Sequence, residues 1–351
     1  MTVNFNTLFP TINTVSGHGN IRNQAEDFMV IEHHDMTFTG TGEHLWFKVE
    51  KIHSNTAWVA TQLASACKVP ARQVGFAGLK DRHAITQQWF SVQLPKISEI
   101  ELIKGKLADE IKILEHHWHQ SKIKTGQLKF NEFKLVVRNV QGDRTAIEQN
   151  IHQVTQNGVP NYFGPQRFGH DMNNIQQAKD WFAGKIKVNN KKLRGLLIST
   201  ARSHIFNLIV AHRIESNSWQ QVISGDILQL DQSHSWFPAH DATSEELTTR
   251  LAAFDVHLTA ALWGEDAVQS TEQCAAIEIN MASTLAEYQA GFITHRVKQD
   301  RRAIRIVPAE FNHHWSSDGS NDDLHLSFKL QPGAYATSVL REIIKTINPA
   351  A

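Results

Sequence analysis

Cysteine is scarce: the 351 residues contain two, Cys67 and Cys274, far apart and neither in a C-x-x-C pair. This argues against a disulfide framework or a zinc knuckle, and both thiols are expected to be small core residues. Long hydrophobic runs are missing, and none approaches the roughly 20 residues of a membrane-spanning helix. The N-terminal MTVNFNTLFPT lacks a basic segment followed by an apolar one, so the expected location is the cytoplasm. There is no internal repeat, no low-complexity segment and no H-E-x-x-H string. Histidine is plentiful, at 20, but its spacing builds no compact metal site: His116 opposes His117 and His119 on a strand, and His33-His34 and His313-His314 are adjacent pairs.

An excess of either charge is also lacking. With 35 basic and 35 acidic residues the net charge is zero, which taken alone argues against a general nucleic-acid binder. The distribution argues the other way. From Lys179 to Arg213 eight basic residues face one acid, from Arg296 to Arg305 five face one, and the acids gather between Asp231 and Asp266, where seven face only Arg250. Charge separated in this way can present a positive face to phosphates while the whole molecule stays neutral. Each cluster also fits an ordinary solvated helix face. Lys191, Lys192, Arg194 and Arg202 are the candidate phosphate contacts of the first cluster.

A 41% hydrophobic chain of this length can bury a large core and fits two domains better than one. The pattern is α+β. EHLWFKVEKI, WFSVQL and IKILEHHWH read as strands, and FNEFKLVVRNV puts Asn131, Phe133, Leu135 and Val137 on one face. Asn55 is positioned to cap a helix with an apolar stripe of Trp58, Val59, Leu63, Ala66 and Cys67. LHLSFKL is a further strand, followed by Pro332-Gly333 and a helix to about Lys345. The middle reads as mostly helical: Leu193 to about Glu215, a helix opened by Thr243 and Glu246, and a long helix from Thr271 to about Ile293. GVPNYFGPQRFG marks the entry to this middle part and IRIVP the return.

Residues 74 to 92, VGFAGLKDRHAITQQWFSV, hold one carboxylate, Asp81, in a row with Lys80, Arg82 and His83. Gly75 and Gly78 bracket the turn and can take backbone angles that other residues resist. Neighbouring cations favour the ionised carboxylate, which suits a nucleophile or base, although such a string also fits a solvated surface turn. Three further strings accompany it: AEDFMVIE at 25 to 32, NYFGPQRFG at 161 to 169, and SFKLQPGAYATSVLREI at 327 to 343. With GFAGLKDRHA, in this order, the chain resembles the TruD family of tRNA pseudouridine synthases from about Gly17 to its last helix. It departs from the family's habits at Ala25, where Pro is frequent, and at Arg22, where Lys is common.

The resemblance implies a pseudouridine synthase catalytic domain with a mixed, largely antiparallel sheet, made of residues 1–157 and 306–351. A mostly helical α/β domain, 158–305, would be inserted into it. It further implies isomerisation of a tRNA uridine, at position 13 in the D arm, with Asp81 as the catalytic group. Arg22 is the first candidate for its ion-pair partner, with Lys80 and Arg82 as competitors. Matching motif positions make Phe28, Asn131 and Phe328 the substrate-binding candidates, although a phenylalanine on an apolar strand face is ordinarily core. Arg167 either contacts phosphate or braces the linker. The chemistry needs no metal or organic cofactor. The expected partner is tRNA, with no membrane and no obligate protein partner, and a monomer is compatible with the sequence. A protein that binds or chaperones RNA without chemistry remains the alternative, and Asp81 separates the two.

Overall fold

The computed structural model describes residues 5–94, 100–124, 126–240, 244–319 and 321–348. The chain divides into two compact units, neither continuous in sequence. One comprises Val15–Thr155, Pro308–Ala336 and Ile343–Ala351; the other comprises Gln156–Val307 with Met1–Thr14 and Thr337–Glu342. The short outer segments 1–14 and 337–342 therefore group with the middle of the chain, whereas the sequence reading assigned them to the surrounding domain.

The first unit is built on a ten-stranded mixed sheet. Its strands are β1 (His18–Asn20), β2 (Phe28–His33), β3 (His44–Ile52), β4 (Val74–Phe76), β5 (Ile85–Gln93), β6 (Ile111–His119) and β7 (Phe130–Gln141), with Ala309–Asp318, Asn321–Leu330 and Lys345–Ile347 from later in the chain. The central order runs from the Ala309–Asp318/Asn321–Leu330 hairpin through β7, β2, β5 and β3 to β6. Among the described residues only β2–β5 and the pairing of β1 with Lys345–Ile347 are parallel. Period-two burial holds along β7, with Asn131, Phe133, Leu135 and Val137 all buried. On one side of β3 and β5, Leu45, Phe47, Val49, Phe90 and Val92 pack against Val59 and Leu63 of the helix Thr56–Ala66. Asn55 sits at the cap of that helix but makes no side-chain capping bond. Trp58 leaves the expected stripe and is exposed.

The second unit is less purely helical than its pattern suggests. Its longest helix, Lys191–Glu215, is capped by Asn190 Oδ1, which accepts from the Lys192 and Leu193 amides at 2.9 and 3.2 Å. Beside it lies a four-stranded sheet in the order Trp236–Pro238, Ile227–Leu230, Val256–Leu262, Asp300–Ala303. The stretch expected as one long helix is two, Glu272–Ser283 and Ala286–Thr294. Thr243, the expected cap, lies outside the described residues; Ser244 Oγ accepts from the Leu247 amide instead. Entry and return meet, because Val159–Pro160 pairs antiparallel with Arg305–Ile306. Gly158, at φ 73°, opens that pairing where a Cβ would lie 2.5 Å from the Ile306 carbonyl oxygen. Two buried ion pairs, Arg213–Asp226 and Arg301–Glu278, each close at 2.7 Å.

Candidate active site

Asp81 follows β4 in the loop that leads to β5, with about a quarter of its side chain exposed. One carboxylate oxygen, Oδ2, accepts from Arg22 Nη2 at 2.5 Å, and Oδ1 accepts from the His83 amide at 3.1 Å. Arg22 comes from the segment between β1 and β2 and has a left-handed backbone, φ 59°. Its guanidinium lies over the Phe28 ring, 4.2 Å from the centroid, so the cation is held between an aromatic face and the carboxylate. Of the three cations considered for Asp81, Arg22 is the one joined to it. Arg82 is exposed.

Lys80 turns away from its neighbour and inward. Its Nζ pairs with Glu32 Oε1 at 2.7 Å and donates to Asn131 Oδ1 at 2.8 Å, with the side chains of Lys80 and Glu32 only 7% and 0% exposed. Glu32 and Asn131 face one another across β2 and β7 as a register pair, which brings the two acceptors to one place. Glu32 Oε2 takes the Trp89 amide at 3.1 Å and lies 3.4 Å from His34 Nε2. Burial pushes the Glu32 carboxyl up, but the His34 ring, the Lys80 ammonium and the Trp89 amide outweigh it and hold the group below the usual carboxylate range. The Lys80 amide donates to Thr56 Oγ1 at 3.0 Å, Thr56 Oγ1 donates to Gln88, and Gln88 Nε2 reaches the Gly78 carbonyl. The two residues Gly78 and Lys80, just ahead of Asp81, are thereby tied to β5 and to the helix Thr56–Ala66.

Lys51 completes the support. It is fully buried, and its Nζ donates to the Ser54 and Asp81 carbonyls at 2.6 and 2.9 Å. Desolvation pulls its ammonium down to about 8, opposed by Asp81 and assisted by Lys80. Neither Glu32 nor Lys51 was singled out by the sequence reading. The available signal was alternation: Phe28, Val30 and Glu32 share a buried face of β2, as do Leu45, Phe47, Val49 and Lys51 of β3.

The aromatic candidates are packed. Phe328 stands between Phe133 and Phe311, with centroids 5.7 and 5.4 Å away, in a row of rings crossing β7 and the adjoining hairpin. Phe28 meets Phe133 edge to face. The bracketing glycines also differ from expectation, since neither Gly75 nor Gly78 has a positive φ. Gly75 is required for close packing, and a Cβ there would lie 2.9 Å from Ser91 Oγ and Ile123 Cγ2. A Cβ at Gly78 would meet open space.

In the second unit, Lys191, Lys192 and Arg194 are exposed at the first turns of the long helix. Arg194 anchors Nε on the Val188 carbonyl at 2.6 Å. Arg202 is different: Nε and Nη2 donate to the Trp263, Leu262 and Lys298 carbonyls at 3.0–3.1 Å, which commits its planar group to the protein. Arg167 lies 5.5 Å from the Phe163 centroid, and its carbonyl accepts from Thr200 Oγ1 at 3.1 Å.

The chain matches the family model described as tRNA pseudouridine synthase D (TruD) over residues 6–177 and 170–343. The tRNA pseudouridine synthase D of Aeromonas salmonicida is 40% identical over 328 residues, 93% of this chain and 91% of that protein. That of Nitrosococcus oceani is 38% identical over 326 residues, 93% of this chain and 90% of that protein. A solved structure of a Methanosarcina mazei protein assigned to tRNA pseudouridine synthase D has the same fold, with a TM-score of 0.73 at 20% identity over 97% of this chain and 96% of that one.

Proposed function

We propose, from the premise that this chain belongs to the TruD family of tRNA pseudouridine synthases and so isomerises uridine in tRNA, that it acts at position 13 in the D arm through Asp81. The observation that carries this reading is the Arg22–Asp81 pair: a partly exposed carboxylate aimed by a nearly buried guanidinium.

Pseudouridine formation breaks the bond from uracil N1 to ribose C1′ and makes one from C5 to C1′, with no net redox change. The electron pair of the N1–C1′ bond leaves with the uracil. Asp81 supports this departure in one of two ways. It attacks C1′ to form an ester, or it takes a proton from C2′ as a glycal forms. C5 of the turned base then bonds to C1′ and its proton is lost, N1 takes up a proton, and the carboxylate is restored. Each route uses one carboxylate and needs the detached base to stay in the site. Arg22 holds Asp81, Phe28 braces Arg22 from beneath, and Phe328 backs Phe133 on the sheet face that carries Asn131. Asn131 contacts the uracil or ribose. The target nucleotide must leave its stack to reach the carboxylate. Lys191, Lys192 and Arg194 serve as phosphate contacts; Arg202, tied to three carbonyls, does not.

The test compares the protein with Asp81→Asn on unmodified tRNA transcripts, mapping pseudouridine chemically and measuring binding in parallel. The expected result is pseudouridine at position 13 from the unaltered protein alone, with both proteins binding. Product from the Asn variant would remove Asp81 from the mechanism. Product at another position would overturn the site assignment.

A further inference from the structure

We propose that the Glu32–Lys80 ion pair is a positioning device that locks the Asn131 amide with its oxygen inward, so that Asn131 serves the reaction as a hydrogen-bond donor to the uracil freed from C1′. This rests on the Asp81 reading above and extends it to how the detached base is held.

The orientation follows from what an ammonium is able to do. Lys80 Nζ carries three donors and no acceptor, so the Asn131 atom 2.8 Å from it must be the carbonyl oxygen. The amide is planar, so fixing Oδ1 fixes Nδ2 on the other branch. Among the described residues Nδ2 has no hydrogen-bond partner, and it is not a buried orphan. An NH2 group that no described residue uses is therefore presented from β7, beside the residue adjoining Asp81 in sequence.

Glu32 makes the lock rigid. A lone lysine on a loop would sample several rotamers and would let the amide turn over. Here the ammonium lies between two acceptors on paired strands, 2.7 Å from Glu32 Oε1 and 2.8 Å from Asn131 Oδ1. Glu32 is in turn fixed through Oε2 by the Trp89 amide at 3.1 Å. The pair also balances its own charge, so the side chain offered to the base is a neutral donor and not a bare cation. When the N1–C1′ bond breaks, negative charge spreads onto the uracil carbonyl oxygens. A fixed N–H donor stabilises that charge and keeps the base from leaving while it turns.

The decisive variant is Asn131→Asp, which keeps an oxygen for Lys80 and removes the NH2 group. With tRNA transcripts, the full-length variant is expected to bind as the unaltered protein does, to keep its unfolding temperature and to lose about 10²- to 10³-fold in kcat. Retained kcat would overturn the proposal, because Asn131 would then serve only as an acceptor for Lys80. Glu32→Gln tests the positioning half. Its loss, about 10-fold, should vanish in the Asn131→Asp background, since Glu32 acts through Asn131. Losses that multiply would overturn that half. Should the added carboxylate prevent folding, Glu32→Gln/Lys80→Met removes the whole ion pair without leaving a buried charge. An unchanged kcat in that double variant would overturn the proposal. Asp81→Asn run in parallel separates the two readings: an active Asp81→Asn variant removes the Asp81 reading whatever Asn131 does.

Discussion

Lys51 is a fully buried ammonium on β3, supported by two carbonyls, one of which belongs to Asp81. Its native group releases a proton near pH 8, against an ordinary 10.5. Between those values the unfolded chain binds more protons than the native one, so this group's contribution to stability rises as pH climbs from about 8 to 10.5, and at neutral pH the buried charge is a cost. The effect expected on activity runs in the opposite direction. Above about 8 the cation that faces Asp81 is lost and the anchoring of the Asp81 carbonyl weakens. The expected outcome is a kcat that declines above pH 8 and a Lys51→Met variant with a lower but flatter profile. A matching alkaline limb in Lys51→Met would assign that limb to another group. The contrast with Asp81 indicates what a sequence exposes at this scale. Asp81 stands among consecutive cations and inside a family string, so it could be named directly. Glu32 and Lys51 acquire meaning only from partners distant in the chain, and on an apolar face each looks like an interruption until that partner is known.

Strands proved more readable than helices and turns, for physical reasons. Period-two alternation in β7 follows from one buried face, and burial there is complete at the expected four positions. The long helix expected after Thr271 breaks where Leu285 leaves helical angles, at φ −128° and ψ 45°. No glycine or proline lies between Glu272 and Ala290 to announce the break. Leu285 is buried, so tertiary packing and not local propensity sets it. The glycines of the Asp81 loop were visible as letters, but their purposes were not. Because neither has a positive φ, the distinction between them is one of space. Gly75→Ala would push a methyl group to 2.9 Å from Ser91 Oγ, which accepts the Ile123 amide. It should cost about 1–3 kcal/mol, as overpacking does. Gly78→Ala meets nothing and should be neutral or stabilising by up to about 1 kcal/mol. Denaturant midpoints for the two variants check this, and equal shifts would show that the loop adapts at both positions.

For the whole molecule, a net charge of zero means that overall attraction cannot recruit an RNA, so affinity must come from where cations stand free of acids. Sequence clustering alone weights Lys191, Lys192, Arg194 and Arg202 equally, because it cannot tell a solvated guanidinium from one committed to carbonyls. The structure separates them: three are exposed at the start of one helix, and Arg202 is bound to three carbonyls. Burial lowers the Arg202 pKa, as expected of a group drawn out of water. The two kinds of residue should therefore fail in different ways. Replacing Lys191, Lys192 and Arg194 together with Ala should weaken tRNA binding and reduce the slope of log Kd against log salt by about 2, with the unfolding temperature unchanged. Arg202→Ala should leave the slope as it is and lower the unfolding temperature, because it strands three carbonyls. If the triple variant instead keeps both affinity and slope, that helix start is outside the RNA interface. If Arg202→Ala flattens the slope, its guanidinium exchanges protein carbonyls for phosphate when tRNA binds.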